Sequence, residues 1–382
     1  MERWPTSQQI DADPTKGDGK VLSIGVEEEF LLAAPDGSVA PVAREVAQFA
    51  GAPDAVKPEF MAYQLETATG VCDTTDQLRG ELALLRRTAA DSAGRLGAHL
   101  LATGMPPFRS PAVEQLSPDI RYSHLATFPN AIAAGGACAC QVHVGVADRD
   151  LRVQVLARLR PWLPTLLALT ANSAIFDGED TGWSSYRYRA LRHWPTFRLP
   201  GVWSDGEMYD RVVNALIASG AALSPRSVYF LARLSAQYPT IEVRVADTCL
   251  NVEDSVLLAA VTRGLVAALI DDIRYRRRAL PATTPRVEAS LLATAHHGVA
   301  GRGTTPGARQ RAFESLCLRL LDKIGPQLDR FGDLDEVVGG LRRVAETGTG
   351  AEQQRLMWSR ATGREDFVRA LADAARAPVP AA

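Results

Sequence analysis

Acidic, amide, imidazole and guanidinium side chains recur at every second position in four short segments of this chain. The segments cover residues 24–30, 63–67, 141–146 and 240–245, and apolar residues fill most of the positions between the polar ones. Side chains at positions i and i+2 of a β-strand point to the same side of a sheet. If the four segments pair in one sheet, their polar side chains converge on one surface. Such a surface suits divalent cations and phosphate groups.

Each segment contributes two polar residues to this surface: Glu27 and Glu29, Gln64 and Glu66, Gln141 and His143, and Glu242 and Arg244. Two residues apart on one strand, the first two carboxylates are about 6.6 Å from each other, which lets them serve neighbouring cations. Oxygen-rich ligand sets favour Mg²⁺, with Mn²⁺ as the alternative. Zinc is not favoured, because the chain has neither a paired CxxC nor an HExxH.

The competing interpretation is that these side chains merely face solvent. A single Glu-x-Glu strand would favour this solvent-facing interpretation. Solvated faces usually mix Lys, Ser and Thr with the acids, however, and like charges at i and i+2 repel unless a cation neutralises them. The same bias in four segments therefore favours a site. The roles of two residues remain open. His143 is a ligand or a hydrogen-bonded structural residue, and Trp183 covers a substrate or anchors its loop.

The elements that must position these residues can be predicted from periodicity. Alternation with one polar face predicts an antiparallel sheet, since buried parallel strands are apolar throughout. Leucine and alanine residues at helical spacing predict an amphipathic helix over 76–99, and Asp148 or Asp150 would cap another. Shorter predicted elements are a helix at 41–50, a hairpin or two short strands within 57–69, and a strand at 100–103. The predicted fold class is α+β, with helices over the apolar face of the sheet.

The predicted organisation is a flexible leader over residues 1–20 and a single domain over 21–382. The motifs fall within 21–280, and 250–376 is mainly helical in pattern. The formal net charge of −2 gives no basic field for nucleic acid or anionic lipid. With no long apolar span and no apolar leader, we expect a cytoplasmic protein without membrane partners. Five irregularly spaced cysteines predict no disulfide framework, and Cys138 and Cys140 should face the apolar side as inert residues.

No glycine-rich nucleotide loop of the GxxxxGK[ST] type is present in the sequence. If ATP binds, cations and arginine side chains must hold its phosphates. Arg187, Arg189 and Arg244 are the candidates, because a guanidinium binds phosphate oxygens through two parallel hydrogen bonds.

Four motifs appear in order and resemble one family. Residues 25–30, 141–146, 171–173 with 181–187, and 240–247 resemble the carboxylate–amine ligases of the glutamate–cysteine ligase type 2 group, also called YbdK-like. The resemblance covers about residues 21–280. It implies a glutamine-synthetase-like catalytic sheet that binds Mg-ATP without a P-loop. The γ-phosphoryl group would pass to the carboxylate of glutamate or a related amino acid, and an amine would then displace phosphate to form an amide.

The resemblance also implies roles for individual residues. The metal positions would be Glu27, Glu29, Glu66 and Glu242; the nucleotide contacts would be Gln141, His143, Arg187 and Arg244; and Arg187 and Arg244 would act in catalysis, Arg187 on a phosphate or on the substrate carboxylate. The family commonly has His-Val-His-Val-Gly where this chain has Gln141 at the first position. That departure affects metal affinity and substrate choice without excluding activity.

Two other functions remain open at this point. One is a phosphotransferase of the same fold, similar to guanidino kinases, which would not need an amine substrate. The other is a non-catalytic protein that binds ATP or a metabolite. The partners expected are small molecules, an amino acid and an amine, and a homodimer is the default assembly for a soluble enzyme.

Overall fold

The structure is a computed structural model that describes residues 22–109, 115–127, 135–280, 282–304 and 310–376. The leader predicted for residues 1–20 lies outside these ranges. The strands are β1 (Ile24–Ala33), β2 (Val56–Pro58), β3 (Gln64–Ala68), β4 (His99–Leu101), β5 (Cys140–Gly145), β6 (Ile175–Phe176), β7 (Glu179–Asp180), β8 (Ala232–Leu234), β9 (Thr240–Val243), β10 (Arg302–Thr304) and β11 (Gln310–Ala312).

Helices surround these strands and make up most of the described C-terminal part. They are α1 (Ala43–Ala50), α2 (Thr75–Gly94), α3 (Ile120–Leu125), α4 (Arg149–Leu159), α5 (Leu163–Leu169), α6 (Tyr186–Leu191), α7 (Gly206–Ala218), α8 (Val252–Arg274), α9 (Thr284–His297), α10 (Phe313–Phe331), α11 (Leu334–Thr347), α12 (Gly350–Arg360) and α13 (Arg364–Arg376). Among the described residues, no helix is long and apolar enough to cross a membrane.

The four polar segments form the centre of one antiparallel sheet. Its strand order is β2-β3-β1-β5-β9-β8, and β4 also pairs with β1. All these pairings are antiparallel. The register sets Glu29 opposite Glu66, Glu27 opposite Gln141, and His143 opposite Glu242. The predicted convergence on one face is therefore confirmed, and the hairpin predicted within 57–69 is the β2–β3 pair.

Apolar side chains on the opposite face pack against α2, α4 and α8. Val26, Val142 and Ile241 belong to this core and are almost completely buried. Glu28, between the two site glutamates, points into the same core, where Arg86 of α2 binds both of its carboxylate oxygens at 2.9 and 2.6 Å. Ser255 of α8 donates to it at 2.6 Å. The buried ion pair thus joins β1 to two helices.

Local signals explain where the elements begin and end. Thr74 caps α2 by accepting a hydrogen bond from the amide of Gln77. The prediction of a helix to residue 99 was wrong at its C-terminal end, because the helix stops at Gly94 and the chain turns at Gly97, whose φ is +70°. Asp148 caps α4 as predicted.

All five cysteines are buried and free, in agreement with the absence of a disulfide framework. Burial raises the pKa of the Cys138 thiol well above its usual value. Cys140 is completely buried. The predicted position on the apolar side is confirmed for Cys140, which belongs to the core of that face, but was wrong for Cys138. The Cys138 sulfur accepts a hydrogen bond from Nε2 of Gln64 at 3.5 Å and packs with Leu31 on the side that bears Glu29, because it precedes β5 and does not follow the alternation of that strand.

Candidate active site

A wide cavity of about 680 Å³ opens on the polar face of the sheet. Its charged and imidazole lining comprises Glu27, Glu29, Glu59, Glu66, Asp119, His143 and Glu242 with Arg44, Lys57, Arg226, Arg233 and Arg244. The volume is within the range of sites that bind nucleotide-sized ligands. All four glutamates predicted as metal positions are thus brought to one cavity, together with Gln141, His143 and Arg244.

Three of these residues form a tight cluster. Glu27, His143 and Glu242 each offer a ligand atom, and these atoms lie within 4.8 Å of one another. Nδ1 of His143 is 2.9 Å from Oγ1 of Thr240, whereas its buried Nε2 has no hydrogen-bond partner among the described residues and lies 3.5 Å from Oε1 of Glu27. With Nδ1 donating to Thr240, Nε2 presents its lone pair to the cluster, as in metal-binding histidines. The donor set fits a divalent cation.

The charge of Glu242 is stabilised from both sides. Arg233 of β8 donates to its two oxygens at 3.1 and 2.9 Å, and Arg244 also binds Oε1. Burial alone would raise the pKa of Glu242, but Arg233, Arg244 and His143 outweigh it and lower the pKa to about 2. Arg233 was missed in the sequence. It could have been found from its position nine residues before Glu242, because β8 and β9 pair and set the two residues directly opposite each other.

A second acidic group lies where β1 and β3 pair. Glu29 and Glu66 are directly opposite each other, an arrangement that is unfavourable for two anions without a cation. Burial and then the nearby charge of Glu59 raise the pKa of Glu29 to about 7 and that of Glu66 well above its usual value. Glu59 was also missed. The predicted hairpin could have indicated Glu59, because the hairpin brings the Glu59 amide to the carbonyl of Gln64.

Gln141 joins the two acidic groups. Its Nε2 donates to Oε1 of Glu29 at 2.7 Å, and its Oε1 accepts a hydrogen bond from Nη1 of Arg244. The other oxygen of Glu29 accepts from the Ala139 amide at 2.7 Å. Burial would lower the pKa of Arg244, but Glu242 and then Glu29 more than offset this and raise it. Arg244 is therefore a fixed positive charge between the two groups.

Arg187 lies apart from the wide cavity. It lines a smaller inner pocket of about 80 Å³, which adjoins the cavity at Glu29, Glu59 and Arg244. Its guanidinium donates to the carbonyls of Val245 and Arg244 at 3.3 Å and to Asp247 at 3.5 Å. Asp247 follows the end of β9 and binds both Arg187 and Ser185, which precedes α6.

Two further residues of the α6 region are outside both pockets. Arg189 is exposed and lies over the rings of Trp183 and Tyr186, so it does not reach the cavity that its proposed phosphate role requires. Trp183 packs edge-on against His296, at a ring distance of 4.8 Å. Of the two roles considered for Trp183, this contact supports the anchoring of the loop.

Comparison with known proteins assigns the family. The profile of glutamate-cysteine ligase family 2 matches residues 23–373. The chain belongs to this family. A relative from Mycolicibacterium vanbaalenii, provisionally named glutamate–cysteine ligase 2-2, is 41% identical over 362 residues, which are 94% of this chain and 98% of the relative. A relative from Salinispora tropica, provisionally named glutamate–cysteine ligase 2, is 39% identical over 367 residues, which are 94% and 96% of the two chains.

Solved structures with this fold include two ligases. The glutamate–cysteine ligase of Francisella tularensis, crystallised in complex with AMP, has a TM-score of 0.67 at 15% identity and covers 94% of this chain and 90% of its own. A bifunctional glutathione synthetase from Pasteurella multocida has a TM-score of 0.68 at 16% identity, covering 93% of this chain and 52% of its own. At such identities the likeness concerns the fold alone, and it confirms the predicted fold class.

Proposed function

We propose that this member of the family is an ATP-dependent carboxylate–amine ligase. The observation that carries the proposal is the cavity itself, where carboxylates, an imidazole and the side chains of Arg233 and Arg244 face one another without a glycine-rich phosphate loop. Phosphoryl transfer requires positioned cations more than covalent help from the protein. A glutamate–cysteine ligase joins a carboxylate to an amine, and the charged residues of this site suit that chemistry.

Two groups of residues would hold divalent cations. Glu27, His143 and Glu242 form the first group, and Glu29, Glu59 and Glu66 the second. Mg²⁺, or Mn²⁺ in its place, would supply these positions with the positive charge that neutralises phosphate oxygens in phosphoryl transfer. In the second group, burial and then the charge of Glu59 raise the pKa values of Glu29 and Glu66, and a bound cation would offset both effects.

The protein's own residues would position the reactants. Arg244, fixed by Gln141 and Glu242, would bind the transferring phosphoryl group. A substrate carboxylate oxygen forms a bond to the γ-phosphorus as the bond to the ADP oxygen breaks, which gives an acyl phosphate and ADP. The amine nitrogen then attacks the acyl carbon, inorganic phosphate leaves, and the nitrogen loses a proton to yield the amide. Arg187 would bind a carboxylate rather than a phosphate, because it lines only the inner pocket.

Glutamate is the acid substrate that the names of the relatives support. The two competing functions differ in what they require. A phosphotransferase would consume ATP without an acid–amine pair, and a binding protein would bind ATP without releasing ADP.

The test is ADP release by the purified protein with Mg-ATP and a panel of acids, each with and without a panel of amines. The proposal expects ADP formation that depends on both an acid and an amine, with an amide product by mass spectrometry. Hydroxylamine serves as a control amine, because it traps an acyl phosphate as a hydroxamate. ATP turnover without a carboxylic acid would refute the ligase proposal and favour a phosphotransferase. Binding of ATP without ADP release in any combination would favour the non-catalytic protein.

A further inference from the structure

Helix α12, in the C-terminal part of the chain, packs against residues 171–175. It begins at Gly350, and its second residue donates a backbone hydrogen bond to the carbonyl of Ala171 at 2.9 Å. Gln354 lies one turn further along the helix and is only 1% exposed. Because residues 171–175 precede the loop that leads to Arg187, this contact joins the C-terminal helices to the surroundings of the inner pocket.

The side-chain amide of Gln354 is hydrogen-bonded at both ends. Its Oε1 accepts hydrogen bonds from the amides of Ala174 and Ile175 at 3.0 and 3.3 Å. Its Nε2 donates to the carbonyl oxygen and to Oδ1 of Asn172 at 2.8 and 2.7 Å, and to Thr103 at 2.9 Å. Loss of any of these bonds leaves a buried polar group unsatisfied, which is costly. Gln354 therefore specifies one position of the backbone around Asn172.

Asn172 and Ser173 connect Gln354 to a buried carboxylate. The amide of Asn172 donates to Oδ2 of Asp247 at 3.0 Å, and the Ser173 hydroxyl donates to the same oxygen at 2.7 Å. The other oxygen of Asp247, which is completely buried, accepts from Nη1 of Arg187 at 3.5 Å. The Ser173 hydroxyl also accepts from the amide of Arg187 at 3.0 Å. Both the backbone and the guanidinium of Arg187 therefore contact residues that Gln354 holds in place.

The close approach of α12 depends on the glycine at its start. A Cβ atom at Gly350 would lie 2.2 Å from Oδ1 and 2.4 Å from Cγ of Asn172. These distances are far below van der Waals contact, so a larger residue would displace the Asn172 side chain or lift α12 away from it. The position of Asn172 thus has two separate determinants on α12, the steric one at Gly350 and the hydrogen bonds of Gln354.

We infer that Gln354 is a positioning residue for the reactant whose carboxylate Arg187 binds, and that it acts through Asn172 and Asp247. Among the described residues Gln354 lines neither pocket, so its removal changes the reaction only by moving Arg187. Binding of that reactant then depends on a C-terminal helix that lies outside the motifs at 21–280. This inference rests on the proposed ligase function and adds a determinant of substrate binding.

Gln354→Met tests the inference, because methionine keeps the length of the side chain and removes both hydrogen-bonding ends. ADP release is measured at varied ATP, glutamate and cysteine, or with the fastest acid–amine pair of the panel if these two are not substrates. For the reactant that Arg187 binds, kcat/KM should fall about tenfold or more, the scale of a misplaced positioning group. The KM for ATP should not change.

A double-mutant cycle assigns this effect to Arg187. Arg187→Gln should lower kcat/KM for the same reactant, and Gln354→Met should have no further effect in that background, because residues that act through one contact are not additive. If Arg187→Gln does not fold by circular dichroism, the selective loss for one reactant in Gln354→Met still decides.

Gly350→Ala gives a second test, since it moves Asn172 without removing a hydrogen-bonding group. It should lower the same kcat/KM, whereas Gly339→Ala on α11 should not, because a Cβ there meets no atom within 4 Å. Gln327→Met is the control for Gln354→Met, since Gln327 is a buried glutamine of α10 that donates to a carboxylate of α8 at 2.6 Å. It should lower the free energy of unfolding and keep the wild-type kinetics. If Gln354→Met does not fold, Gly350→Ala and its control decide.

Three results would overturn the inference and leave the ligase function intact. They are a loss of stability in Gln354→Met with unchanged kcat/KM, equal losses for ATP and both other reactants, and additive effects in the Arg187→Gln background. If no combination releases ADP, the proposed function fails, and amide hydrogen exchange decides the inference. Gln354→Met should then speed exchange in a peptide that covers residues 184–188, which contains the Arg187 amide, and Gln327→Met should not. Unchanged exchange there would show that Gln354 does not position Arg187.

Discussion

Gln141 donates a 2.7 Å hydrogen bond to Glu29 and accepts one from Arg244, so a single amide joins an acid and a base that do not contact each other directly. The amide suits this position because it carries a donor and an acceptor on one carbon. The contact keeps Arg244 turned toward Glu242. Gln141 is therefore a contact between the two acidic groups of the site.

The three consecutive glutamates of β1 should respond differently to pH in the metal-free protein. The pKa of Glu29 rises from its ordinary value to about 7 on folding, through burial and the nearby Glu59. The folded state then binds more protons than the unfolded state between pH 4.5 and about 7, so Glu29 lowers stability as pH rises through this window. At pH 8 Glu29→Gln should raise the free energy of unfolding by about 3 kcal/mol, since one pKa unit corresponds to about 1.4 kcal/mol.

Glu27→Gln is the matched control on the same face of β1. Burial would raise the pKa of Glu27, but the adjacent His143 ring lowers it overall. Its stabilising contribution is therefore present above its ordinary pKa and is lost as pH falls. Urea unfolding in EDTA at pH 5 and pH 8 should show Glu29→Gln as stabilising and Glu27→Gln as destabilising at the higher pH. The same sign for both at pH 8 would contradict the assignment.

Glu28 should matter for stability and not for ligand binding. Arg86 and Ser255 bind it in the core, so Glu28→Gln leaves a buried guanidinium without its counter-charge. Breaking a buried pair in this way typically costs about 3–5 kcal/mol. Urea unfolding should show a loss of this size, whereas the exposed Glu45→Gln should be neutral. ATP affinity of the folded Glu28→Gln protein should equal that of the wild type, and a specific loss of it would place Glu28 in the site.

Thr240 should control metal affinity through His143. Its hydroxyl is 2.9 Å from Nδ1, and this contact fixes which imidazole nitrogen faces Glu27 and Glu242. Thr240→Val preserves shape and strand preference but removes the acceptor, so Mn²⁺ affinity measured by electron paramagnetic resonance should fall at least about tenfold, as for other histidine-orienting residues. Thr240→Ser keeps the hydroxyl and should bind Mn²⁺ normally. Equal affinities in the two variants would show that the hydroxyl has no such role.

The polar face could be predicted from sequence because strand parity is a local property. The period of two and the assumption of one sheet were enough to place four residues on this face: Glu27, Gln141, His143 and Glu242. Arg233 and Glu59 could not be found in this way, since each belongs to a short segment whose importance depends on register and pairing. The same holds for Glu28, because alternation places it on the apolar face but does not reveal its partner Arg86, 58 residues away in α2.

The residues that line each pocket could not be predicted from the sequence, for a different physical reason. Arg187 and Arg189 lie on one short helix, two positions apart, and their sequence contexts are alike. The structure separates them because Asp247 and two backbone carbonyls hold Arg187 inward, whereas Arg189 stacks over Trp183 at the surface. A helix turn of about 100° per residue is enough to place one in a pocket and the other in solvent.

Gln141 should affect nucleotide use more than metal binding. It lies outside the cluster of Glu27, His143 and Glu242 but fixes Arg244. Gln141→Leu keeps the size and loses both hydrogen bonds, so we expect KM for ATP to rise about tenfold or more, the scale of a lost hydrogen bond to a charged group. Mn²⁺ affinity should change little. Gln141→His should retain turnover with an altered Mg²⁺ to Mn²⁺ preference.

Steady-state ADP release at varied ATP, with each metal in turn, measures these effects, and Gln48→Leu on the exposed face of α1 is the control for the substitution itself. A Gln141→Leu protein with a normal KM for ATP but weakened Mn²⁺ binding would place the amide among the metal ligands instead. An unchanged metal preference in Gln141→His would separate Gln141 from both cations. In either case Arg244 would be held by Glu242, which also binds its Nη1, and by the ring of Tyr229, 5.8 Å from its guanidinium carbon.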